Sequence, residues 1–172
     1  RNFDGNFDGN FDGNFDENFD ENFDGNFNGN FDENFDWNFD GKVSLGVIDP
    51  LNQKQFLFEA TPNITQQLRI LKNNAPSKVN EIPAAIFLTH AHIGHYTGLM
   101  YLGKEVMNAK QVPVYVYPKM KGFLENNGPW SQLVSNQNID LKLMDKDNLV
   151  QLSSELCIRP FQVPHRDEFS ET

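Results

Sequence analysis

Ala84-Ala85-Ile86-Phe87-Leu88-Thr89-His90-Ala91-His92-Ile93-Gly94-His95 is the stretch on which the reading of this chain turns. Five apolar residues run into Thr89, and three histidines follow within six positions. A short apolar run of this kind reads as a buried strand, so the histidines sit at that strand's C-terminal end. The chain has four histidines in all, and the fourth, His165, stands in Gln-Val-Pro-His-Arg-Asp-Glu. A lone histidine after a strand is ordinarily a hydrogen-bonded surface or core residue. Here the clustering argues otherwise, because imidazole is the commonest side-chain metal ligand. At i and i+2 in one loop, His90 and His92 can point the same way and grip one ion. His165 follows a second apolar run, Cys157 to Val163, and can bring a third nitrogen from another strand end. Three neutral imidazoles with an open position describe a catalytic zinc site better than a closed structural one.

The net charge of −10 conceals two unlike parts. Residues 1–41 carry nine Asp, three Glu and one Arg, a net of −11, while residues 42–172 carry a net of +1. The acidity therefore belongs to the N-terminal segment. The second part shows no basic stripe, which argues against a nucleic-acid partner. Only its 131 residues can build a core, enough for one small domain or part of a larger one. The single cysteine, Cys157, excludes an internal disulfide framework and fits a reducing, cytoplasmic setting. Its apolar neighbours predict a buried, inert thiol. No stretch is long and apolar enough for a membrane span, and no signal peptide opens the chain, whose first residue is Arg.

From Asn2 to Gly41 the sequence is ten copies of Asn-Phe-Asp-Gly or a near variant. Such density of Gly, Asn and Asp opposes both helix and strand, and the charge is uncompensated. The array reads as a disordered or loosely turn-like low-complexity segment. Its regular Asp spacing matches neither an EF-hand loop nor a glycine-rich calcium-binding nonapeptide.

The remainder alternates strands with helices and then runs as a meander. Val43–Ile48 and Gln55–Glu59 read as a hairpin around Asp49-Pro50-Leu51-Asn52. Thr61-Pro62 predicts a helix start, with Thr as N-cap and Pro first inside, and Ile64, Leu68 and Leu71 as its buried stripe. Ala84–Leu88 is the strand that carries the histidines. A helix is expected over Tyr96–Ala109, a strand over Val112–Tyr117 and a short helix over Lys119–Glu125, with a turn at Asn127-Gly128-Pro129. Leu141–Met144, Leu149–Leu152 and Leu156–Val163 read as further strands. The order implies mixed α/β layers with the metal at the edge of the sheet.

Around Leu88-Thr89-His90-Ala91-His92-Ile93-Gly94-His95-Tyr96-Thr97-Gly98 the chain resembles the metallo-β-lactamase superfamily, whose signature is His-x-His-x-Asp-His followed closely by glycine. His90, His92 and His95 match the three histidines and Gly98 the glycine. The interval to His165 suits the next ligand. Within the superfamily, HAHIGHYTGLMYLGKEVM, VPVYVYPKMKGFLENNGPWSQLV and VPHRDEFSET resemble the B-protein group of pyrroloquinoline quinone (PQQ) biosynthesis. The resemblance covers about residues 43–172 and implies the N-terminal half of an αββα sandwich. It implies a metal on His90, His92 and His165, with His95 belonging to a second site.

Three departures bear on activity. Gly94 stands where the motif has Asp, a ligand of the second metal, so the resemblance implies one ion per chain. The group's N-terminal cysteine cluster has no counterpart. The region that should carry a bridging Asp and a last His would follow Thr172. On this footing the chain reads as a metal-dependent hydrolase-like protein acting on a small molecule or peptide, with no membrane or nucleic-acid partner. A three-histidine centre holding iron and activating oxygen for PQQ maturation is an alternative. So is an inactive fragment with the array as an interaction tail. Asp167 and Glu168, beside His165, are available to orient an imidazole or to stand as solvated charges.

Overall fold

The structure is a computed structural model and describes residues 44–172; the repeat array, and the reading of it as disordered, lie outside the described residues. Ser44–Gln162 with Arg166–Thr172 form one compact unit, and Val163–His165 group outside it without regular structure. A five-stranded mixed sheet organises the compact unit, with strands in the order β1-β2-β3-β4-β5. β1 (Leu45–Asp49) and β2 (Lys54–Phe58) form the expected antiparallel hairpin, Leu45 opposite Phe58 and Asp49 opposite Lys54. The Asp49 carboxylate closes the turn by accepting the Asn52 N–H at 3.1 Å. β3 (Ala85–Phe87), β4 (Val112–Val116) and β5 (Ile139–Leu143) follow, each parallel to its neighbour.

Alternation along the strands sorts side chains into two cores. Leu57, Ile86, Val112, Val114 and Val116 face the helices, where they meet Ile64, Leu68 and Leu71 of α1 (Ile64–Asn74). Phe56, Ala85 and Phe87 face the opposite way, towards Met144, Leu152 and the small hairpin β6 (Val150–Gln151) and β7 (Cys157–Ile158). On that face Phe58, Phe87 and Tyr115 stack across three parallel strands, with ring centroids 4.8 Å apart at each step. Because β2 to β5 are parallel, their C-terminal ends share one edge. That edge carries Glu59, Thr89-His90, Tyr117 and Met144, so the histidine loop opens where parallel sheets place their ligands.

Several elements depart from the sequence expectation. α1 starts two residues after Pro62, because the Thr61 hydroxyl is engaged by the Asn63 N–H and by Gln67. The helix expected over Tyr96–Ala109 is instead a single turn, α2 (Ile93–Tyr96), then a 3₁₀ helix (Thr97–Leu102) and a loop. The cause lies at Gly98, whose N–H donates to the Ala60 carbonyl at 2.7 Å and draws the chain off the helical path. α3 (Pro118–Asn126) is the expected short helix with Pro at its start, and α4 (Trp130–Ser135) was not anticipated. The strand expected over Leu156–Val163 shrinks to Cys157–Ile158, since Pro160 and Pro164 cannot donate to a ladder. Cys157 is exposed rather than buried, because the two-stranded hairpin leaves that face uncovered. No helix among the described residues is long and apolar enough to cross a membrane.

Candidate metal centre

Leu88 is fully buried and its N–H still bonds to Tyr115, so the chain leaves the sheet only at Thr89. His90 is buried at the base of the loop that follows, and its Nε2 lies 2.7 Å from Nδ1 of His92. The i, i+2 spacing thus aims two imidazoles at one point. Their outer nitrogens are held by oxygen: His90 Nδ1 by the Thr89 hydroxyl at 2.7 Å, and His92 Nε2 by the Glu168 carboxylate at 3.4 Å. An ionised carboxylate only accepts, so Glu168 favours the proton on His92 Nε2 and leaves Nδ1 as a lone pair. The Thr89 hydroxyl both donates and accepts. With Thr89 donating, a chain of hydrogen bonds runs from Thr89 through His90 and His92 to Glu168. With Thr89 accepting, both inner nitrogens present lone pairs and call for a cation between them. Oxygen partners on the far nitrogens are the arrangement that fixes tautomers in histidine metal sites.

His90, His92 and His165 are a group that could hold a metal ion, with ligand atoms all within 4.8 Å of one another. The donor chemistry fits a borderline transition metal such as zinc.

His95 falls outside that group. Its ring stacks at a tilt on His90, centroids 4.2 Å apart, and its Nδ1 lies 3.6 Å from Oε2 of Glu59. Glu59 is the residue that sequence reasoning missed. It is 3% exposed, and its backbone sits at φ 67°, a left-handed value unusual for a side-chain-bearing residue. Its N–H bonds to Phe87 and its Oε1 accepts the Thr89 N–H at 3.2 Å, so one residue pins the start of the histidine loop twice. The signal was a lone acid inside the apolar Phe56-Leu57-Phe58-Glu59-Ala60, at a strand end. Glu168, read from the sequence as available to orient an imidazole or to stand as a solvated charge, meets His92. Its carboxyl is held below the ordinary range, first by its own backbone N–H and then by His92.

The profile of a beta-lactamase superfamily domain matches residues 54–171. The chain belongs to the metallo-β-lactamase superfamily. Among solved structures of this superfamily's fold, Zn(2+)-bound PqqB from Methylobacterium extorquens aligns with a TM-score of 0.56 and 19% identity. The alignment covers 71% of this chain and 40% of that one, so the chain spans well under half of the PqqB length. A diphosphatase from the PhnP family aligns at a TM-score of 0.40 and 18% identity, covering 58% of this chain and 35% of that one. No curated protein matches the chain. The metallo-β-lactamase fold expected from the histidine motif is therefore present, with a mixed sheet and helices packed against one face.

Proposed function

We propose that this chain carries a single-metal centre of the metallo-β-lactamase type, with His90, His92 and His165 as ligands and zinc as the ion, in a PqqB-like hydrolase framework. The observation that carries this reading is the convergence of His90 Nε2 and His92 Nδ1, each ring tied by oxygen at its far nitrogen. When bound, such an ion polarises water and the scissile bond of an ester, amide or phosphodiester at neutral pH. The chain's own residues do the positioning. Glu168 favours the proton on His92 Nε2, Thr89 holds the far nitrogen of His90, and Glu59 holds the loop against the strand end. Gly94 offers no carboxylate for a second ion, so one ion per chain is proposed. The substrate is a small molecule or peptide, and a place in PQQ cofactor maturation rests on the likeness to PqqB alone. Iron in place of zinc, activating oxygen, is the second reading, since three imidazoles with open positions serve either metal.

Elemental analysis of the purified 172-residue chain tests the proposal. About one zinc or iron per chain is expected, and its identity separates the two readings. His90→Ala and His92→Ala each leave a two-ligand site and should reduce bound metal to a small fraction. His95→Ala should retain most of it. No metal in the parent, or equal losses in all three variants, contradicts the single-metal assignment.

A further inference from the structure

The backbone between the two convergent ligands is held from outside the loop. The Ala91 N–H, buried between His90 and His92, donates to Oγ of Ser170 at 2.8 Å. Ser170 is itself 2% exposed, and its hydroxyl donates onward to the Glu171 carbonyl at 3.0 Å. The residues on either side are tied down as well. The Glu168 carboxylate reaches His92, and the Glu171 carboxylate accepts the Lys119 N–H at 2.9 and 3.1 Å in the first turn of α3. Phe169 lies against Phe123 of the same helix, centroids 5.9 Å apart. Thr172 bonds back to the Arg166 carbonyl and closes the segment on itself.

From this arrangement we infer that Ser170 is a positioning residue for the metal centre: its hydroxyl fixes the peptide between His90 and His92, and Glu171 anchors it to α3. The inference rests on the metal reading above and extends it to a residue that touches no ligand side chain. The physical ground is geometric. Two ligands at i and i+2 are joined through one intervening residue, Ala91, so rotation of the His90–Ala91 peptide changes the direction of one imidazole relative to the other. A buried N–H without an acceptor is also costly, so loss of the Ser170 hydroxyl drives that peptide to turn towards another partner.

The test uses the full 172-residue chain with Co(II) and Zn(II) as probes. Measured are affinity by chelator competition, the visible absorption of bound Co(II), and the melting temperature with metal removed. Ser170→Ala should weaken metal binding roughly tenfold or more and change the Co(II) band, as loss of supporting partners does at such sites. Ser170→Thr keeps the oxygen and should restore the affinity and band, even if its extra methyl lowers the melting temperature. A lowered melting temperature in Ser170→Ala with wild-type affinity and band would reduce Ser170 to a structural role and overturn the inference. Should Ser170→Ala not fold, Glu171→Ala decides: affinity weakened about threefold or more supports the anchor, and unchanged affinity refutes it. Failure of the wild-type chain to bind either ion would remove the metal reading and this inference together. Wild-type binding with indifferent variants removes the inference alone.

Discussion

Two glycines of the histidine motif carry opposite constraints. A Cβ built on Gly98 would stand 2.1 Å from the Thr61 carbonyl oxygen and 2.8 Å from that of Ala60. Both are backbone atoms and cannot rotate away. Glycine here lets the 3₁₀ helix approach the chain after β2 closely enough for the hydrogen bond from Gly98 to Ala60. Gly98→Ala should therefore cost about 3 kcal/mol or more, the upper end for overpacking, read from a denaturant midpoint. Gly94 is the contrary case, with nothing within 4 Å of its Cβ position. Gly94→Asp should leave stability within about 0.5 kcal/mol of the parent. If the vacant carboxylate is what limits the centre to one ion, metal content in that variant should rise above one per chain. An unchanged content would mean that ligands beyond position 94 set the limit.

At the level of elements, β3 and β4 were legible because each is a short, continuous apolar run largely withdrawn from solvent. Ala85–Phe87 and Val112–Val116 fall inside their expected ranges for that reason. The failed helix over Tyr96–Ala109 had the right apolar spacing in Leu99, Leu102 and Met107. A tertiary hydrogen bond at Gly98 overrode it, and no local pattern announces such a bond. The site was legible in its histidines, which are rare and grouped. It was opaque in its supports, because Glu59, Ser170 and Glu171 act across 30 to 80 positions and are common residue types. The aromatic stack on the sheet face opposite the helices belongs to this scale too. Phe87 is 2% exposed and stacks between Phe58 and Tyr115, so Phe87→Ala should destabilise the fold by about 3–5 kcal/mol, measured by denaturation.

The support from Glu168 also fixes an expected pH response. Its folded pKa is lowered, so its contribution is present above the ordinary carboxylate value and is lost only as pH falls through the lower folded value. Imidazole ligands must be neutral to bind metal, and ordinary imidazoles protonate at about pH 6.5, well above that window. Metal release on acidification should thus follow the histidines. Glu168→Gln should weaken affinity by a uniform factor between pH 5 and 8, leaving the slope of log affinity against pH unchanged. A changed slope would show that Glu168 takes up protons in the same range.

On the scale of the whole molecule, the described groups that support the histidine loop run from Glu59 to Glu171. The repeat array holds twelve of the chain's 24 acids and turns a nearly neutral remainder into a chain of net charge −10. Two effects of the array on metal binding can be separated. A distant acidic segment raises the local concentration of cations, an effect that salt screens within about 8 Å at physiological ionic strength. Carboxylates that bound the ion directly would instead add ligands, and salt would not erase their contribution. Removing residues 1–41 should leave one ion per chain. Zinc affinity should lie within about threefold of the full chain at physiological salt, with a larger gap only at low ionic strength. A loss of stoichiometry that persists at high salt would mean that the array completes the centre, and the three-histidine assignment would then have to give up its claim to be sufficient.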